Sequence, residues 1–230
     1  MKHALIASLL LNLLAIFVAC AFVYHRGGIS FLREKLTGPN AVYTAFRQSP
    51  FYQTRVSAQS ANTATGMDVF LGDSLTEYGS WNELVGCRAV NRGIAGDEIL
   101  GVQSRLPSIL ATRPARIFLM IGLNDVLRGD SPETISKRYG ELVDSIKPGN
   151  VEVYLQSILP TRKGEFGQAI VEVNRRIAKL ADGRRVHYLD LYGYFQDADG
   201  LLDERYTMDG THLNGAGYLL WRERLQAELR

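Results

Sequence analysis

Four short polar segments hold the residue types from which an activated hydroxyl can be assembled. Gly72-Asp73-Ser74-Leu75 closes the apolar run Val69-Phe70-Leu71, Asn91-Arg92-Gly93-Ile94-Ala95-Gly96-Asp97 follows a second short run, Gly122-Leu123-Asn124-Asp125 follows a third, and Asp209-Gly210-Thr211-His212 lies near the carboxyl end. A serine hydroxyl becomes a nucleophile when an imidazole takes its proton, and the imidazole works best when a carboxylate fixes its tautomer. Glycine offers a backbone N–H that no side chain shields, and asparagine a side-chain amide. Both are natural donors to an oxyanion. These types in four separate loops point to acyl transfer through a serine.

Of the four histidines, His3 and His25 flank an apolar segment and His187 lies within a predicted strand, where a packed sheet residue is the plainer reading. His212 alone stands in a loop ahead of a helical pattern, with Asp209 three residues earlier. Asp-x-x-His in isolation reads as a helix-start cap beside a surface histidine; alongside the other three loops it reads as a base with its orienting carboxylate. Asp73 and Asp125 are expected to hold their loops by accepting backbone N–H bonds. Tyr78 and Trp81 fit a substrate pocket or the packing of a short helix equally well. Arg92 and Arg128 sit in rim loops, where solvation is expected ahead of contact with an anionic substrate.

The elements that must position these residues follow from periodicity. Apolar runs at Val69–Leu71, Arg88–Asn91, Ala115–Gly122, Val151–Ile158 and Val186–Leu191 read as strands, the third apolar on both faces as in a central parallel strand. Between and after them run helical faces: Ile99, Val102, Leu106, Ile109; then Ile135, Tyr139, Leu142, Val143, Ile146 behind the Ser131-Pro132 start; then Ile170, Val173, Ile177, Leu180; then Tyr218, Trp221, Leu225, Leu229. Such alternation predicts a parallel sheet with helices on both sides, and places the first three loops on one rim.

The four segments, in this order and spanning Asp68 to Tyr218, resemble the GDSL, or SGNH, hydrolases. Phe70-Leu71-Gly72-Asp73-Ser74-Leu75-Thr76 and Asp209-Gly210-Thr211-His212-Leu213-Asn214 look closest to the acetylhydrolase and acetylesterase branch of esterases and lipases. The resemblance implies a three-layer α/β/α sandwich around a parallel sheet of about five strands, the flavodoxin-like arrangement. It implies Ser74 as nucleophile, His212 as general base and Asp209 as its orienting partner. Oxyanion donors would be Ser74 N–H, Gly96 N–H and the Asn124 amide; Gly93 is a neighbouring alternative better suited to a tight turn. No metal or organic cofactor is implied. The expected reaction is hydrolysis of carboxylic esters, short acyl or acetyl groups on a glycan or lipid, through an acyl-enzyme. Competing readings are an O-acyltransferase using the same triad and a catalytically inactive glycan- or lipid-binding module. A nucleotide-binding protein is disfavoured, since Gly93-Ile94-Ala95-Gly96 is no dinucleotide fingerprint and no phosphate-binding P-loop is present.

Charge is nearly balanced, at net +2, which gives no argument for a nucleic-acid partner. Residues 4–24 are almost continuously apolar, interrupted by Ser8 and Asn12. That is about the 20 residues a helix needs to cross a bilayer. Ala19-Cys20-Ala21 resembles a signal-peptide cleavage site, but Phe22, Val23 and Tyr24 continue the apolar run past it, so an uncleaved membrane anchor is the favoured expectation. The expected organisation is an anchor or signal segment at 4–24, a stalk at 25–66 with a loop over Ser57–Gly66, and a catalytic domain at 67–230. The catalytic domain is expected on the extracytoplasmic side of the membrane, or secreted if the segment is cleaved.

Overall fold

The structure is a computed structural model that describes residues 39–228 except 87 and 150, together with 12, 16–18 and 21. The predicted anchor at 4–24 and the first part of the expected stalk therefore lie largely outside the described residues. Among the described residues no helix is long and apolar enough to cross a membrane. The chain divides into two compact units, Met1–Gln53 and Thr54–Arg230. In the first, helix α1 (Pro39–Arg47) leads to the start of helix α2 (Pro50–Ala61), and Phe46 meets Tyr52 edge-on with ring centroids 5.3 Å apart. Because α2 runs on through Ala61, the expected loop over Ser57–Gly66 is helical for its first five residues. Nothing in Ser57-Ala58-Gln59-Ser60-Ala61 forbids a helix, and tertiary bonds from Gln59 described below hold it in place.

The second unit carries strands β1 (Asp68–Gly72), β2 (Ala89–Gly93), β3 (Arg116–Met120), β4 (Glu152–Gln156) and β5 (Val186–Leu189), all parallel, in the order β2-β1-β3-β4-β5. This is the flavodoxin-like order, whose strand sequence reverses direction between β1 and β3. The short helices α3 (Ser74–Glu77) and α4 (Trp81–Val85) follow β1, α5 (Ile99–Leu110) follows β2, and α6 (Leu123–Leu127) and α7 (Pro132–Ile146) follow β3. Then α8 (Gly167–Ile177) follows β4, and α9 (Tyr192–Phe195) and α10 (Gly215–Glu228) follow β5. Right-handed crossovers put α5, α7 and α8 on one face, since all three connections step the same way across the sheet, and α4 on the other.

Residue types explain both faces. Every apolar residue expected on α5 and α7 is buried, and Ser131 caps α7 by accepting Thr134 N–H at 3.2 Å, with Pro132 in the first turn. On the opposite face the parallel register aligns Phe70, Phe118, Tyr154 and His187 as one row of stacked rings across four strands. Trp81 of α4 extends the row, stacking on Phe70 at 4.0 Å, and meets Trp221 of α10 edge-on at 4.8 Å. His187 is thus a packed sheet residue, remote in role from the polar rim.

Candidate active site

β1 delivers Ser74 through a turn that only glycine permits. A Cβ on Gly72 would stand 2.1 Å from Met120 O and 2.3 Å from Thr76 Oγ1. Asp73 then caps α3, its Oδ1 accepting Leu75 N–H at 3.0 Å. Behind the serine, Tyr218 of α10 donates to Leu75 O at 2.8 Å, and Trp81 Nε1 donates to Thr76 O at 2.8 Å. Trp81 is fully buried, so packing is its part; Tyr78 remains half exposed with its ring 5.2 Å from that of His212.

His212 reaches this hydroxyl from the far end of the chain. Its Nε2 is 3.0 Å from Ser74 Oγ, and its Nδ1 is 2.6 Å from Asp209 Oδ2. The carboxylate side accepts only, so the proton belongs on Nδ1 and Nε2 is left free to accept from the serine. Asp209 Oδ1 also accepts the N–H groups of Thr211 and His212, at 2.9 and 2.7 Å. These bonds, the His212 side chain first, hold the Asp209 carboxyl well below the usual range, so it stays charged. Gly210 turns at φ +81°, its N–H held by Thr207 Oγ1 and its carbonyl by Arg162 N–H and Thr161 Oγ1. The Asp209–His212 turn is thereby fastened to the loop after β4.

The remaining expected donors converge from the neighbouring strand ends. Ile94 to Asp97 form a turn closed by Asp97 N–H to Ile94 O at 3.0 Å, with Gly96 at φ +82°, a conformation glycine adopts without penalty. Neither Ser74 N–H nor Gly96 N–H takes a partner among the described residues. Asn124, on α6 behind the left-handed Gly122, gives one amide hydrogen to Asp97 O at 2.9 Å, which leaves the second. Gly93 serves packing instead. A Cβ there would lie 2.2 Å from Glu77 N, so glycine lets β2 approach α3.

A buried charge network supports the rim. Asp97 and Arg105 form an ion pair almost entirely out of water, with Nε and one terminal nitrogen each 2.9 Å from Asp97 Oδ2, and Arg105 also donates to Gly72 O at 3.1 Å. Glu98 pairs with Arg128, and Asp125 accepts Ile99 N–H at 3.3 Å. Burial pushes Asp73, Glu98 and Asp125 up to about 7 each. Asp73 and Asp125 hold backbone, as expected. Arg92 and Arg128 depart from the expected solvation: Arg92 is buried and donates to Asn62 O at 3.0 Å, while Arg128 pairs with Glu98 and reaches Gly96 O at 3.3 Å. Sequence reading also missed Asn91, whose amide nitrogen lies 2.9 Å from each of the Thr76, Glu77 and Gly79 carbonyl oxygens, fastening α3 to β2. An asparagine at a predicted strand end was its only signal.

Ser74 stands just beyond the carboxyl end of β1 with His212 and Asp209 in line beside it, and the likeness to known proteins makes the chain a carboxylic ester hydrolase. The chain belongs to the GDSL-like lipase/acylhydrolase family, whose model matches residues 70–220. It is 30% identical over 145 residues to esterase TesA of Pseudomonas aeruginosa, covering 62% of this chain and 71% of that protein. It is 27% identical over 161 residues to thioesterase 1/protease 1/lysophospholipase L1 of Escherichia coli K12, covering 64% and 74%. A GDSL-like lipase structure from Bacteroides thetaiotaomicron shares the fold, with TM-score 0.69 at 21% identity over 78% of this chain and 97% of that one.

Proposed function

We propose that the protein hydrolyses carboxylic esters with Ser74 as nucleophile, His212 as general base and Asp209 as the group that orients His212. The observation that carries this reading is the unbroken line of two short contacts, Asp209 Oδ2 to His212 Nδ1 at 2.6 Å and His212 Nε2 to Ser74 Oγ at 3.0 Å. As Ser74 Oγ bonds to the ester carbonyl carbon, its proton passes to His212 Nε2. Charge develops on the carbonyl oxygen, which Ser74 N–H, Gly96 N–H and the second Asn124 hydrogen would receive. Collapse expels the alkoxide, which takes the proton from His212 and leaves as the alcohol. Water, giving its proton to His212, then attacks the acyl-enzyme and releases the acid with Ser74 restored.

The substrate class we favour is a short acyl or acetyl ester on a larger glycan or lipid alcohol. The His212–Asp209 side chains are 34% and 54% exposed, so this flank of the site stands open to a bulky group. The relatives carry esterase, thioesterase and lysophospholipase names, which keeps a lipid alcohol in view. A fluorophosphonate probe tests the nucleophile: it should add once, on the peptide containing Ser74, and labelling elsewhere or no labelling would contradict the reading. We also infer that residues 4–24 anchor the protein to a membrane with the hydrolase extracytoplasmic, on the strength of their apolar run. Full-length protein should then sediment with membranes and retain its original amino terminus; recovery in the soluble fraction with an intact terminus would overturn the anchor.

A further inference from the structure

The nucleophile turn and the Ile94–Asp97 turn belong to different connections, yet one carboxylate joins them. Glu77 stands one helical turn after Ser74 on α3, and its Oε2 accepts Ala95 N–H at 2.5 Å, immediately before Gly96. Its Oε1 is held by Arg55 of α2 at 2.6 Å. The Glu77 side chain is only 11% exposed, so its carboxylate is fixed by these two partners more than by water. From the same helix, Gln59 Nε2 donates to Gly93 O at 2.8 Å and Gln59 Oε1 accepts from Arg105 at 3.3 Å, the arginine that grips Asp97. The start, middle and end of the Gly93–Asp97 segment are therefore each tied, directly or through one residue, to α2. That helix lies upstream of residues 70–220, the part matched to the family.

We propose that Glu77 is a positioning residue for transition-state stabilisation, with Arg55 as its support: by holding Ala95 N–H it fixes the Ile94–Ala95 peptide, and with it the direction in which the next peptide presents Gly96 N–H to the carbonyl oxygen of the ester attacked by Ser74. The proposal rests on the roles given above to Ser74 and Gly96. Its physical basis is preorganisation. A donor stabilises a developing oxyanion only if it is aimed before the charge appears, and a glycine at φ +82° has a backbone free to aim elsewhere. A carboxylate accepting an N–H makes a charge-assisted bond strong enough to remove that freedom. Arg55 matters because it occupies the second carboxylate oxygen and keeps the side chain from turning to solvent. The Gly96 bond strengthens as charge moves onto the carbonyl oxygen, so losing the clamp should lower kcat and leave KM nearly unchanged.

The test compares Glu77→Ala, Glu77→Gln, Arg55→Ala and Arg55→Lys with Ser74→Ala, using p-nitrophenyl butyrate hydrolysis at a temperature where thermal unfolding shows every variant folded. Removing a donor outright costs about 100- to 1000-fold; misaiming one should cost less, about 10-fold or more in kcat for Glu77→Ala, with KM within about twofold. Glu77→Gln keeps an acceptor oxygen and should recover most of the loss. Arg55→Ala should fall several-fold and Arg55→Lys should restore it. Wild-type kcat in Glu77→Ala while Ser74→Ala is inactive overturns the positioning role alone. Full turnover by Ser74→Ala overturns the nucleophile and the proposal with it. If Glu77→Ala does not fold, Glu77→Gln and Arg55→Ala decide: wild-type kcat in Arg55→Ala, or a KM rise with unchanged kcat in either, overturns the proposal.

Discussion

His212 Nε2 lies 3.0 Å from Ser74 Oγ across a separation of 138 residues, and the distance is set by two turns that are each locked independently. Asp73 and Tyr218 hold the serine's turn, while Thr207, Thr161 and Arg162 hold that of the histidine. A hydrogen bond of this length needs no rearrangement before proton transfer.

Asp209 fixes the proton of His212 on Nδ1. Asp209→Asn would place an amide donor there, drive the proton to Nε2 and leave the serine without an acceptor. The variant should lose on the order of 10^3- to 10^4-fold in kcat near neutral pH, with little change in KM. Steady-state hydrolysis of p-nitrophenyl butyrate measures this, and a loss below about tenfold would argue that the carboxylate plays no orienting part.

Asn124 contributes one amide hydrogen to Asp97 O and has one left for substrate. Asn124→Ala should lower kcat by about 100- to 1000-fold. Because Asn124 is only half-buried at the rim, with its backbone in α6, the melting temperature should move little. A large fall in melting temperature with unchanged kcat would instead give Asn124 a purely structural part.

Arg105 is the partner of a buried carboxylate. Arg105→Met takes the guanidinium away from the buried Asp97 carboxylate and frees Gly72 O as well. The expected cost is about 3–5 kcal/mol, or a fall in melting temperature of roughly 6–20 °C. Adding Asp97→Asn removes the buried charge and should recover part of it. Calorimetry of the two variants checks this, and a double variant no more stable than Arg105→Met would contradict it.

Asp73 gives a pH signature. Burial, with the charges of Asp97 and Asp125 adding, raises its carboxyl to about 7, while the unfolded chain titrates near 3.9. Between those values the folded protein keeps a proton that the unfolded chain releases. Its stabilising contribution is full below the unfolded value and is lost as pH rises through about 7. Asp209 shifts the other way and has no effect across this window. Asp73→Asn keeps an acceptor for Leu75 N–H but has no proton to lose. Its melting temperature should therefore fall less than that of wild type between about pH 5 and pH 8; parallel curves would show that Asp73 does not titrate there.

The sheet and most helical faces were legible because burial imposes a period: Ile99, Val102, Leu106 and Ile109 had to share one side of a helix, and they do. The candidates Ser74, Gly96, Asn124, Asp209 and His212 stood out in the sequence because each lies in a short segment of unusual composition next to a strand or helix end. What binds the loops together was not. Glu77 reaches Ala95, Asn91 reaches the end of α3, and Arg92 reaches Asn62 across the fold, and no local pattern marks a long-range hydrogen bond. The α2 residues Ser57–Ala61 read as a loop for the same reason: their apolar content is low, and what keeps them helical is Gln59 and Arg55 bonding outward.

The most direct measurement is hydrolysis of p-nitrophenyl butyrate by wild-type protein beside Ser74→Ala, with both shown folded by their melting curves. The account predicts sustained turnover by the wild type and a loss of at least about 10^3-fold in the variant. Equal turnover by the two proteins would contradict it.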